Sequence, residues 1–208
     1  MNLSSRDILR PAAGFLATLV LLFFLFQLAR DRRVAPLPVY HTVGRFSLTN
    51  QNDQTVSLDA LAGKVWVGNI VFSRCAGPCP RLTRQMAEIQ AAIPASAPVR
   101  FVTLTADPVF DTTTVLRKYA ERFHADDRRW FFLTGRKTDV YELAINQLKF
   151  TVLDNESDRK SDELFIHSSK FVLVDRQGRV RGYVEGDEPD TVRQVKRSIN
   201  ALLREEKQ

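Results

Sequence analysis

The chain predicts an α/β fold, a central mixed sheet flanked by helices, preceded by one N-terminal transmembrane helix. Three observations lead there. Residues 11–29 are an uncharged run, mostly Leu, Phe, Ala and Val, bounded by Arg10 and Arg30. From residue 45 onward, runs rich in β-branched and aromatic residues alternate with stretches of helical spacing. The strongest of those runs, Val65 to Phe72, stops at a Gly/Pro-punctuated loop carrying the two cysteines of the chain.

Composition narrows the function classes. With 208 residues and 44% hydrophobic content, the chain can bury one sizeable core. The formal net charge is +6, but Lys and Arg are scattered. No basic stripe interleaved with aromatics appears, which argues against nucleic-acid binding. Beside a membrane anchor, such a balance reads as compatibility with anionic lipid. Two close cysteines exclude a scaffold stapled by several bridges and leave a redox pair, a metal pair or one local disulfide.

The organisation is a tail over 1–10, an anchor over 11–29, a linker over 30–44 and a globular domain over 45–205. At about 1.5 Å per residue, the apolar run crosses a hydrocarbon core of about 30 Å. It is longer than a signal-peptide h-region and no clean small-residue cleavage site follows, so the segment reads as uncleaved. Arg30, Arg32 and Arg33 after the run outnumber Arg6 and Arg10 before it. Taken alone, that count favours a cytoplasmic domain. The thiol pair instead suits an oxidising or metal-loading compartment. Pro36 and Pro38 mark the linker.

Within the domain, Phe46 to Leu48 and Val56 to Leu58 flank the turn-rich Asn50 to Gln54 as a short hairpin. Gly63-Lys64 turns the chain into the central strand, Val65 to Phe72. Past Pro80, Leu82, Met86, Ile89 and Ile93 fall at helical spacing, with Pro80 suited to the first turn. Val99 to Thr105 is a second core strand, ended by Asp107-Pro108. Val115, Leu116, Tyr119 and Phe123 give one helical face over Thr112 to Phe123, with Asp111 as its expected cap. Trp130 to Leu133 reads as a strand and Thr138 to Gln147 as a helix, followed by a polar, mostly acidic loop from Asp154 to Glu163. Lys170 to Val174 and Val180 to Val184 form a hairpin around Asp175 to Gly178. Val192, Val195, Ile199 and Leu202 give a C-terminal amphipathic helix. This order, with a cysteine pair after an early core strand, matches a thioredoxin-like domain.

Cys75 and Cys79 are spaced C-x-x-x-C in a strand-to-helix loop. The partial positive charge of a helix N-terminus favours thiolate there. A spacing of four on a helix puts the side chains about 5–6 Å apart at Cβ, so the sulfurs can share a metal or close to a disulfide. Of three histidines, His41 lies in the linker and His124 ends a helix, both as structural or solvated groups. His167 stands just before the Lys170 strand, at a junction that thioredoxin-like topology puts on the side of the cysteine loop. That makes it a candidate third ligand. Two thiolates and one imidazole are a soft set suited to Cu(I), and to Cu(II) with an added ligand. Structural zinc wants a fourth protein ligand, and no further Cys or His is evident.

These residues resemble the Sco/SenC copper chaperones of cytochrome c oxidase assembly. The resemblance runs from about Phe46 to Val184. It rests on Gly63-Lys64-Val65-Trp66, on Phe72-Ser73-Arg74-Cys75 through Cys79-Pro80, and on Thr105-Ala106-Asp107-Pro108 followed by Asp111-Thr112. Trp130 to Gly135 and His167-Ser168 followed by Val172-Leu173-Val174-Asp175 extend it. The resemblance implies copper ligation by Cys75, Cys79 and His167, a single N-terminal anchor, a domain facing the periplasm, and delivery to oxidase subunit II or another copper or thiol protein. Ser73-Arg74 departs from the family's usual threonine and less charged residue. Arg74 beside Cys75 would further favour thiolate. Asp107 is expected to end a strand, with a place near the site as a further option.

Three readings compete. The first is the anchored copper chaperone. The second is a thiol–disulfide oxidoreductase that keeps partner cysteines reduced, using Cys75 and Cys79 as a redox pair. Against a general thioredoxin role, no proline precedes the Lys170 strand. Against a peroxidase, no threonine stands just upstream of Cys75. The third is a binding domain whose cysteines form one stabilising disulfide.

Overall fold

The structure is a computed structural model and describes residues 22–23, 36–154, 165–167 and 169–205. Apart from Leu22 and Phe23, the expected anchor lies outside the described residues, as does the polar loop beyond Asp154. Among the described residues no helix is long and apolar enough to cross a membrane.

In chain order the elements are His41–Thr42 (β1), Ser47–Thr49 (β2), Thr55–Ser57 (β3), Leu58–Leu61 (α1), Val65–Val71 (β4), Pro78–Ala92 (α2) and Val99–Thr105 (β5). There follow Thr113–Arg122 (α3), Trp130–Leu133 (β6), Lys137–Tyr141 (α4), a π-helical turn over Glu142–Gln147, Val152–Asp154 (β7), Phe165–His167 (β8), Lys170–Val174 (β9), Arg179–Glu185 (β10) and Thr191–Glu205 (α5). Six strands form the central sheet in the order β1-β10-β9-β4-β5-β6. β4, β5 and β6 run parallel, while β9, β10 and β1 pair antiparallel, so the sheet is mixed as expected.

The pattern of burial explains the order. Every residue of β4 is buried, which a strand covered on both faces requires. Its apolar side chains join Phe101, Leu104, Trp130, Phe132, Phe171 and Leu173 in one core. Helix α5 packs across β4, β9 and β10 and against α2, burying Val195, Ile199 and Leu202; α3 packs against β6. The β9–β10 hairpin turns where expected. Gly178 adopts φ 74°, a left-handed value that a side chain resists, and its N–H donates to Asp175 O at 3.0 Å.

Several local expectations change. Helix α3 is capped by Thr112, whose hydroxyl accepts from Val115 N–H, and not by Asp111. The helix expected over Thr138 to Gln147 is α4 followed by a π-helical turn, closed by Leu148 N–H donating to Leu143 O. Leu58 opens α1 rather than continuing the hairpin strand. His41 and Thr42, within the stretch read as linker, form the edge strand against Val180 and Arg179. Leu37–Gln208 forms a compact unit. Its first residues are fastened by Arg181, 4% exposed, which donates to the carbonyls of Leu37 and Pro38 and pairs with Asp175 and Glu205.

Candidate functional site

Parallel pairing of β4 and β5 brings both of their C-terminal ends to one edge of the sheet, where loops can converge on a ligand. The loop after β4 carries Cys75, and its chain enters α2 at Pro78, so Cys79 lies in the first helical turn. The loop after β5 carries Asp107 and Asp111. These two carboxylates hold the cysteine loop from beneath. Asp111 is fully buried and accepts from Ser73 N–H at 3.0 Å, from the Ser73 hydroxyl, and from the Thr105 hydroxyl at 2.5 Å. Burial pushes its carboxyl above the usual range, against the opposing pull of the Ser73 and Thr105 donors. Asp107 takes the Arg74 guanidinium at 2.5 Å, and that guanidinium lies 4.1 Å from the centroid of the Phe110 ring. Ala106 N–H donates to Val71 O at 2.7 Å, tying the two loops at their bases.

The two thiols differ sharply. The two cysteines are not joined by a disulfide; Cys75 is half-buried and Cys79 is fully buried. Burial pushes the Cys79 thiol far up, and a hydrogen bond with Cys75 adds to it, opposed only by a backbone hydrogen bond at Phe72. At Cys79 burial thus opposes the thiolate that a helix N-terminus favours. Desolvation of the charged form outweighs the helix dipole at this depth. Thr83, one turn further along α2, donates to Cys79 O at 2.9 Å and shares a 2.9 Å hydrogen bond with Tyr119. Arg74, expected to act on Cys75, is engaged with Asp107 and Phe110 instead.

His167 ends β8, paired opposite Val152. Because β9 is antiparallel to β4, the N-terminal end of β9 lies at the edge where the cysteine loop emerges, and His167 lies just before it. The backbone topology thus puts the start of β9, which His167 precedes by three residues, at the edge that carries the cysteine loop. Among the described residues no group of three or more His, Cys, Asp or Glu side chains forms a metal cluster. His41 and His124 are elsewhere. His41 Nε2 is hydrogen-bonded to Gln147 O at 2.5 Å, and His124 sits past α3 at φ 54°, its carbonyl accepting from Gln90.

Reasoning from sequence missed the role of Asp111. The signal was present: an aspartate beside a threonine that can itself cap the helix is released for another task. Asp107 does both things expected of it. It accepts from Phe110 N–H at 3.3 Å to close the turn, and it reaches the cysteine loop through Arg74.

Comparison with known proteins fits this geometry. The family model SCO1/SenC matches residues 35–204. A SCO1 protein homolog of Bacillus subtilis is 32% identical over 161 residues, covering 76% of this chain and 81% of that protein. The structure of BsSco, a Sco-family cytochrome c oxidase assembly protein with an identified disulfide switch, aligns with TM-score 0.71 at 27% identity. It covers 83% of this chain and 99% of that one. The fold also matches Bradyrhizobium japonicum ScoI with copper bound, with TM-score 0.66 at 21% identity, over 77% of this chain and 99% of that one.

Proposed function

This chain belongs to the SCO1/SenC family, and on that premise we propose that it is a membrane-anchored copper metallochaperone. It binds copper through Cys75, Cys79 and His167 on the extracytoplasmic side, as residues 11–29 anchor it. It delivers the ion to the copper site of cytochrome c oxidase subunit II, or to another copper or thiol protein. Copper is the cargo.

The observation that carries this reading is a pair of cysteines at one sheet edge, one half-buried and one buried, with β9, which His167 precedes in the chain, starting at that edge. Thiolate sulfur is a soft donor that suits Cu(I), and imidazole completes a set too small for structural zinc. The buried thiol divides the labour. Cys79 is fixed in α2 and holds the ion, while Cys75, on the exposed loop, is the ligand an acceptor reaches first. Transfer proceeds by ligand exchange at Cys75, with release from Cys79 following. Asp111 keeps the loop at one height throughout. Titration of the reduced protein with Cu(I) against a chromophoric chelator tests the ligand set. One tight equivalent is expected, strongly weakened in Cys75→Ser, Cys79→Ser and His167→Ala; full affinity in any of the three removes that residue from the set.

The same asymmetry favours a second reading, thiol–disulfide exchange, in keeping with the switch identified in BsSco. The Cys75 thiolate attacks a partner disulfide, forming a mixed disulfide and releasing one partner thiolate. Cys79 then attacks Cys75 Sγ, releasing the second and leaving a Cys75–Cys79 disulfide. His167 is dispensable to that sequence. Cys79→Ser should trap the mixed disulfide with a partner peptide, and failure to trap it counts against exchange.

A further inference from the structure

One glycine stands between the cysteine helix and the backbone that leads away from His167. Gly186 follows β10, and its N–H donates to Ser169 O at 2.5 Å, extending the β9–β10 ladder by one step toward His167. On its other side lies Leu82, fully buried in α2, the next residue on that face after Cys79. A Cβ built at Gly186 would stand 2.2 Å from Leu82 Cδ2 and 2.6 Å from Ser169 O. Real Cβ atoms do not come so close to anything. The backbone at Gly186 is not in the left-handed region, where only Gly63 and Gly178 lie among the described glycines. Glycine is therefore required here by the approach of two neighbours and not by its torsion angles.

The two neighbours answer differently. Leu82 Cδ2 is the far end of a side chain and can rotate. Ser169 O is backbone, so relieving that contact displaces the segment two residues from His167. The far side of Gly186 gives no freedom either, because the one proton of the Thr191 hydroxyl is shared between Glu185 O at 2.6 Å and Glu188 O at 2.7 Å, holding the turn into α5. We propose that Gly186 is a positioning residue for the copper site: by letting α2 and the Ser169 backbone approach one α-carbon, it sets the distance between the cysteine helix and His167. The proposal rests on the three-ligand reading above. A methyl group at 186 widens that distance, so copper keeps its two sulfur ligands and loses the imidazole.

The test is a double-mutant cycle on the full-length reduced protein, reading Cu(I) affinity by chelator competition, with His167→Ala in the wild-type and Gly186→Ala backgrounds. In the wild-type background the histidine change should weaken binding by about 10–100-fold, the scale on which metal-site groups act. In the Gly186→Ala background it should matter little, within about threefold, because the imidazole is already out of reach. Nitrogen hyperfine structure in the Cu(II) spectrum should fade in Gly186→Ala, and amide exchange over 165–170 should quicken without metal. Gly186→Ala with Leu82→Val removes Cδ2 and keeps the Ser169 contact, so it serves if the single variant does not fold. An equal cost of His167→Ala in both backgrounds overturns the positioning role while leaving the ligand set standing. No cost in the wild type overturns the three-ligand reading itself and the proposal with it.

Discussion

Replacing Asp111 with alanine tests how much of the cysteine loop's support comes from the more buried of its two carboxylates. The substitution removes the acceptor of the Ser73 N–H, the Ser73 hydroxyl and the Thr105 hydroxyl. Thr105 is 1% exposed; its hydroxyl oxygen still accepts from Asp107 N–H at 2.9 Å, but its O–H is left without an acceptor, at a desolvation cost of about 1–3 kcal/mol. Ser73 is half-buried and its two donors reach water in part, adding about 1 kcal/mol. Release of a buried carboxylate offsets some of this, since burial already disfavours its charged form. The net loss is about 2 kcal/mol, or about 4–8 °C in Tm for a domain of this size. Asp111→Asn should recover most of it, because an amide oxygen in place of Oδ2 still accepts from Ser73 N–H and the Thr105 hydroxyl, while the Ser73 hydroxyl can turn to accept from the amide nitrogen. The pH dependence has a definite sign. A carboxyl raised in the fold binds more protons folded than unfolded, so its contribution to stability falls as pH climbs from about 3.9 through the raised value. The cost of Asp111→Ala is thus largest on the acid side of that window and smaller above it. Urea unfolding of the metal-free protein at several pH values measures all three outcomes. A loss below about 0.5 kcal/mol, the level of ordinary surface substitutions, refutes the support role.

Other outcomes follow from the same structure. Because burial holds the Cys79 thiol protonated, copper must displace a proton there, and conditional Cu(I) affinity should rise steadily with pH; a pH-independent affinity between 6 and 8 would exclude Cys79 as a thiolate ligand. Arg181→Met leaves Asp175, 3% exposed, with one guanidinium fewer and frees the carbonyls of Leu37 and Pro38, costing about 3 kcal/mol in denaturant unfolding. Burial acts to raise Asp175, yet the Arg179 backbone and the Arg181 and Arg179 side chains hold it below the usual carboxylate range. Its stabilisation is present above the unfolded value near 3.9 and is lost as pH falls through the folded one, so Arg181→Met should move acid unfolding to higher pH.

How much was legible depends on how local the cause is. Val65–Val71, Val99–Thr105 and Trp130–Leu133 announce themselves because strands covered on both faces must be mostly apolar, and the buried polar Asn69 and Thr103 pair through a 2.8 Å hydrogen bond. The pair Val152–Asp154 and Phe165–His167 does not, since each strand has only three residues and they border a polar stretch. His41–Thr42 is a strand only because Val180 and Arg179 offer an open edge. The turn at Glu142–Gln147 keeps helical spacing in sequence while its hydrogen bonds skip one residue further.

The layout could be read from residue order alone: an α/β domain, two thiols where a core strand gives way to a helix, and a histidine ahead of a later strand. Those follow from side-chain periodicity and turn chemistry, which act over a few residues. The depth of each thiol, the reach of Asp111 back 38 residues to Ser73, and the place of Gly186 between Leu82 and Ser169 came with the folded arrangement. Burial and long-range pairing are properties of the strand order. Desolvation at Cys79 therefore overrode the helix dipole that the local sequence had promised.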